Sequence, residues 1–201
     1  MKKNLEQYSK KEHGINKKDI DPDVMIIAET LIGSGYQAFL VGGCIRDILL
    51  KNKPKDFDIV TDASPTDICK LFSNARIIGR RFKIVHVYIS ERKYFEVTTF
   101  RSDIQKNNKK KFKKSNGMIK RDNIYGSISQ DAFRRDFTVN SLYLDLDSDI
   151  IHDYVNGLND IKSKKLKLIK KPSVSYQEDP VRMLRAVRFE SKLNMKLTDE
   201  C

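Results

Sequence analysis

Two carboxylates on alternate residues, Asp56 and Asp58, follow a Gly42-Gly43 pair within the stretch FLVGGCIRDILLKNKPKDFDIVT, residues 39–61. If this segment is extended, alternation turns Asp56 and Asp58 to one face and Phe57 and Ile59 to the other, toward a core. Neighbouring carboxylates repel, and a divalent cation between them relieves the repulsion. Mg²⁺ takes oxygen ligands in octahedral geometry and shares them with phosphates. Backbone N–H groups at a Gly-Gly turn and a helix N-terminus hold phosphate oxygens. The chemistry these residues predict is metal-assisted nucleotidyl transfer, with Asp56 and Asp58 as metal ligands.

Several elements must position that stretch. Phe39–Val41 reads as a strand, Ile45, Ile48 and Leu49 as the apolar stripe of a short helix, and Asp56-Phe57-Asp58 as part of a second strand. Upstream, Asp21 and Pro22 open a helix that runs to Ile32, and Gly33-Ser34-Gly35 stops it. Downstream, Ser64 and Pro65 open another, with Ile68, Leu71 and Phe72 on its buried side. Lys83–Ser90 and Lys93–Thr99 form a hairpin across Glu91-Arg92, with Val85, Val87 and Ile89 on one face and Ile84, His86 and Tyr88 on the other. Glu96 sits between Phe95 and Val97, where an unpaired carboxylate is unfavourable, so it is expected at a rim or bonded.

Residues 102–122 show no periodicity and carry six lysines between Lys106 and Lys114, a composition that predicts a flexible basic loop. Around Asp131–Leu142 a helix or helix start leads into a strand near Leu142–Leu146. Asn156-Gly157 marks a turn, Lys162–Lys171 a basic connector, and Pro172–Tyr176 a linker. Glu178-Asp179-Pro180 caps a final helix, in which Met183, Ala186 and Val187 share one face and Arg182, Arg185 and Arg188 cluster opposite. Residues 1–21 read as a loosely ordered basic arm.

The 201 residues are 39% hydrophobic, enough for a packed core, and hold 39 Lys and Arg against 27 Asp and Glu, a formal charge of +12. That excess favours a polyanionic partner, nucleic acid first. Cys44, Cys69 and Cys201 are odd in number and dispersed, which supports neither a disulfide framework nor a zinc site. No apolar run reaches the length of a membrane span, and the N-terminus lacks the apolar core of a signal peptide. A reducing cytoplasm is the expected compartment.

Four blocks in fixed order now speak together: Gly42-Gly43 with Arg46-Asp47 and Asp56-Phe57-Asp58, then Glu96, Arg134-Arg135-Asp136, and Glu178-Asp179 with Arg182. They resemble the class II nucleotidyltransferases of the polymerase beta superfamily, the group containing bacterial poly(A) polymerases and CCA-adding tRNA nucleotidyltransferases. The resemblance implies an α/β (α+β) head domain, a mixed antiparallel sheet flanked by helices, over residues 22–171. Residues 172–201 would begin a helical neck. It also implies catalytic Asp56, Asp58, Asp136 and Glu96, two Mg²⁺ ions held by Asp56 and Asp58, and ATP as substrate. Gly42, Gly43, Arg46, Arg135, Asp179, Arg182, Arg185 and Arg188 would bind the nucleotide, and Lys109, Lys110 and Lys111 would contact RNA.

Gly79–Val87, with the arm residues His13-Gly14-Ile15, resembles the poly(A)-adding branch more than the CCA-adding one. Adenylation of RNA 3′ ends is therefore the leading expectation and CCA addition the nearest alternative. A non-catalytic basic RNA-binding module is the alternative from another class. The chain stops at Cys201, where the family continues into helical domains that grip RNA; the expectation is a piece of a longer protein, or one that relies on another subunit.

Overall fold

The structure, a computed structural model, describes residues 5–79, 83–102, 114–115, 118–119 and 125–201. Its strands in chain order are β1 (Glu6–Tyr8), β2 (Ala38–Val41), β3 (Asp58–Thr61), β4 (Ala75–Ile78), β5 (Ile84–Ser90), β6 (Lys93–Thr99), β7 (Lys114–Ser115), β8 (Met118–Ile119), β9 (Leu142–Asp145), β10 (Ile151–Asp153), β11 (Lys165–Leu166) and β12 (Lys196–Leu197). Eight of them build one sheet in the order β1-β10-β9-β2-β3-β6-β5-β4. Within it β3 and β6 run parallel, and the other pairs are antiparallel. The expected mixed, largely antiparallel sheet is the one observed.

Helices cover one face of this sheet. They are α1 (Lys10–His13), α2 (Pro22–Gly33), α3 (Gly43–Leu49) and α4 (Pro65–Leu71) in the first half of the chain. Asp21 caps α2 by accepting the Asp23 N–H at 3.0 Å, and Ser64 accepts that of Asp67 to cap α4. Their buried sides, led by Val24, Ile27, Leu31, Ile45 and Ile68, meet Leu40, Ile59, Val85 and Val97 of the sheet. On the opposite face α5 (Ile128–Arg134) encloses a smaller core of Phe39, Val41, Val60, Phe100, Ala132 and Tyr143. Asp58 lies beside that second core.

The remaining helices are α6 (Gly157–Lys162), α7 (Pro172–Glu178) and α8 (Val181–Leu193). Asp153 accepts the N–H groups of Val155, Gly157 and Leu158 and so caps α6. Gly157 itself packs so closely on the 3-10 turn Thr138–Asn140 that an added Cβ would lie 2.3 Å from the Thr138 carbonyl oxygen. Because that oxygen is backbone and cannot swing aside, Gly157→Ala is expected to destabilise the fold by about 1–3 kcal/mol, the usual range for overpacking. Thermal melting checks it, and an unchanged midpoint would show that α6 shifts freely.

Four sequence readings change. The arm is not loose: β1 pairs with β10, Ser9 and Glu12 form a capping box on α1, and Ile15 and Ile20 are buried. Strand β3 begins at Asp58, so Asp56 and Phe57 lie in the segment leading into it. Pro172–Tyr176 is helical, the start of α7, with Pro172 at a first-turn position where its missing N–H is harmless. In α8 the buried residues are Ala186, Phe189 and Leu193, whereas Met183 is 47% and Val187 64% exposed. Apolar residues surround this helix, and Phe189, packed edge-on against Phe137, decides which side turns inward.

Parallel pairing of β11 with β12 clips the end of α8 to the rest of the chain, and Leu166, Leu168, Phe189, Leu193 and Met195 share one core with the sheet. No described helix is long and apolar enough to cross a membrane. Lys109, Lys110 and Lys111 lie outside the described residues, as do Arg80, Arg81 and Phe82 of the Gly79–Val87 segment.

Candidate active site

Asp58 opens β3, and the register places Glu96 of β6 directly beside it on the same face. Burial and the charge of Glu96 push the Asp58 carboxyl up to about 6, with Arg135 opposing and Asp56 adding to the rise. Negative charge is thus concentrated where a cation could enter. Glu96 meets the rim expectation: its side chain is 42% exposed, with His86 Nε2 3.7 Å away.

The Gly42-Gly43 turn reaches this site from the end of β2. Gly42 has φ +85°, and a Cβ there would sit 3.4 Å from Asp58 Oδ2 and 3.9 Å from a terminal Arg135 nitrogen. Only a residue without a side chain takes that conformation easily while leaving the carboxylate accessible. Gly43 then begins α3, whose Arg46 is 4% exposed. Its guanidinium donates to Asp47 at 2.7 and 2.9 Å and to Asn140 Oδ1 at 2.5 Å.

Arg135, the C-cap of α5, is held by a residue that the motif reading left out. Asp131 is fully buried and accepts from Arg134, Arg135, the Tyr143 hydroxyl and the Arg101 N–H. Burial alone would raise its carboxyl, but Arg135 and Arg134 overcome that and hold it down at about 2. Arg135 also donates to the Tyr143 hydroxyl at 2.9 Å and lies over that ring. The signal was present in the spacing, since Asp131 precedes Arg134 and Arg135 by three and four residues on one helix.

Asp136 is bound on both oxygens. Oδ1 accepts the Phe137 N–H and the Asn140 amide, and Oδ2 accepts Arg185 Nε at 2.7 Å. It therefore orients the start of the β9 segment and the α8 helix. Phe189 gathers three guanidinium groups, with Arg46, Arg185 and Arg188 each 5.2–5.3 Å from its ring centre.

These groups line a cavity of about 250 Å³ that brings together Gly42, Gly43, Arg46, Asp56, Asp58, Arg135, Asp136, Arg185 and Arg188. Asp47, Lys55, Asn140, Phe189 and Lys192 join them without having been expected there. Three expected residues stay outside it: Glu96, which lines the neighbouring cavity between residues 53–58 and the hairpin, and the pair Asp179 and Arg182. Asp179 accepts the Val181 N–H at the head of α8, and Arg182 ties Ser175, Glu178 and the Arg134 carbonyl together. A second cavity, about 660 Å³, opens on the other side of the carboxylates between residues 53–58 and the β5–β6 hairpin. Lys55, Asp56 and Asp58 line both.

A carboxylate pair on adjacent strands, a glycine turn against it and a ring of arginines define the class, a nucleotidyltransferase head. Residues 38–167 match the family described as the poly A polymerase head domain, and the chain belongs to that family. It is 46% identical over 194 residues to poly(A) polymerase I of Salmonella typhi, covering 95% of this chain and 42% of that protein. Identity to the CCA-adding enzyme of Bacillus pumilus is 36% over 174 residues, 87% of this chain and 41% of that one. Among solved structures, the CCA-adding enzyme of Bacillus stearothermophilus in complex with CTP superposes with a TM-score of 0.74 at 31% identity, over 90% of this chain and 42% of that one. The chain spans about two-fifths of the length of these relatives.

Proposed function

We propose that this chain is the catalytic head of a template-independent polynucleotide adenylyltransferase, which joins AMP from ATP to the 3′ hydroxyl of RNA and releases pyrophosphate. The observation that carries the reading is the half-buried Asp58 with Glu96 beside it and Asp56 near, facing a cavity that Arg46, Arg135, Arg185 and Arg188 also line. Adenylation is favoured over CCA addition by the higher identity to the poly(A)-adding relative. The likeness to a CCA-adding enzyme in complex with CTP keeps CCA addition as the second reading. A non-catalytic RNA-binding module has no use for carboxylates turned toward a polyanion.

The residues suit Mg²⁺. Among the described residues no group of three or more His, Cys, Asp or Glu could hold a metal alone. Mg²⁺ is commonly bound by one or two carboxylates with substrate phosphates completing its shell, and Asp56 and Asp58 would supply that share. When bound, two such ions would activate the 3′ hydroxyl and neutralise the triphosphate. Arg135, locked by Asp131 and Tyr143, presents positive charge to the phosphates without reorganising. Arg185, fixed by Asp136 and Phe189, keeps its remaining N–H groups for the base edge, and Arg188 flanks it. Lys109, Lys110 and Lys111 are proposed RNA contacts on charge alone. The dispersed thiols suit a cytoplasmic setting.

The test is single-nucleotide incorporation on a short RNA with Mg²⁺ and either ATP or CTP. Preference for ATP is expected, and Arg185→Ala should lower the ATP to CTP efficiency ratio by about tenfold or more, the usual effect of one lost base-edge contact. Addition that halts after C, C and A on tRNA would establish the second reading. An unchanged ratio with both rates reduced would assign Arg185 to phosphate.

A further inference from the structure

From the two cavities that meet at Asp56 and Asp58, we infer a stacking site for the acceptor: the last base of a single-stranded RNA lies on Tyr94, with its 3′ hydroxyl directed at the carboxylates. This rests on the nucleotidyl-transfer reading and adds where the second substrate sits. An in-line displacement needs the attacking oxygen on the side of the reacting phosphate opposite the leaving group. The arginine-walled cavity holds one partner, so the attacking strand must come from the other side. The larger cavity is on that side, shares both carboxylates, and is lined by Lys53, Lys55, Arg92 and Tyr94.

Chemistry of its wall selects the occupant. Glu96, His86 and Arg76 follow Asp58 in register across β6, β5 and β4, so all four lie on one face, with the Tyr94–Tyr88 pair in the next row. His86 stacks on Tyr94 at 4.2 Å with planes 12° apart, and Tyr88 leans on both rings. One side of Tyr94 is thereby fixed, while the residue remains 46% exposed. Arg76 lies over Tyr88 at 5.9 Å. Lysine and arginine for phosphates beside a rigid aromatic surface for bases is the combination that binds single strands without reading their sequence. Lys93 contributes little to it, being paired with Asp21 and Asp23.

A short RNA carrying 2-aminopurine at its 3′ end, mixed with the chain in the absence of ATP, reports stacking directly. Quenching of that label is expected, with little change for the same label at the 5′ end. Tyr94→Leu should abolish the quenching and raise KM for RNA about tenfold or more, leaving KM for ATP unchanged, since stacking on one aromatic commonly carries that much affinity. Tyr94→Phe should keep both, and equal melting of the variants shows that folding is intact. No 3′-specific quenching in the unsubstituted chain, or quenching and KM for RNA that survive Tyr94→Leu, overturns the inference. Stacking without any nucleotide transfer would instead overturn the catalytic reading while leaving this site in place.

Discussion

If Asp58 holds the metal as proposed, Asp58→Asn is expected to lower nucleotide transfer by about 10³-fold or more, since losing such a carboxylate removes several kcal/mol of transition-state stabilisation. The substitution preserves volume, so a loss of rate cannot be blamed on a cavity. Stability should move the other way. Asp58 is raised from 3.8 to about 6 in the folded chain by burial and by Glu96, so the native state holds this proton more tightly than the unfolded state does. Its ionisation therefore weakens the fold as pH rises between those two values. In metal-free buffer at pH 7, Asp58→Asn should melt at or above the parent. Transfer within tenfold of the parent would remove Asp58 from the metal site, and a clear drop in melting temperature would overturn the stability argument.

Asp131 is the position where stability should suffer most. Asp131→Asn leaves Arg134 and Arg135 without the carboxylate that both contact, and breaking a buried ion pair on one side costs about 3–5 kcal/mol. The pH dependence has the opposite sign to that of Asp58. With the carboxyl held at about 2 against an ordinary 3.8, the stabilisation is complete above pH 4 and is lost as pH falls toward 2. Denaturant unfolding at pH 7 and pH 3 checks both claims, the gap between parent and variant narrowing at the lower pH. KM for ATP should rise as well, since Arg135 loses its anchor. Adding Arg135→Gln to Asp131→Asn should recover part of the lost stability, a non-additivity that independent sites would not show.

The residues that converge at the site were legible because each motif is local: a glycine pair, alternate aspartates, Arg134-Arg135-Asp136 and an acidic cap before a helix lie within a few positions of one another. What escaped depends on distant partners. Asp131 stands at ion-pair spacing from Arg134 and Arg135, but nothing near it in sequence announces Tyr143 and Arg101, which close around it and bury it. Glu6-Gln7-Tyr8 is too polar for a strand until β10 is beside it. In α8, Val181, Met183, Leu184 and Val187 compete with Ala186 and Phe189 for the inward side, and a helical wheel cannot choose between two apolar faces. Packing of Phe189 on Phe137 made that choice. Asp179 and Arg182 have motif positions but structural partners, so spacing identified the residues and geometry gave them different work.

The edge strand at the start of the chain has a consequence for the order of events during synthesis. Gln7 meets His152 across 145 residues, so β1 leaves the ribosome long before the strand it completes exists. Contacts this distant in sequence form late, after the loop entropy between them has been offset by nearer pairings. Until then β10 presents unpaired N–H and C=O groups along an open edge, the kind of surface on which nascent chains associate with one another. Strand β1 is thus made well before it can close, and the interval before it docks is the period in which that edge of the sheet is exposed to its neighbours.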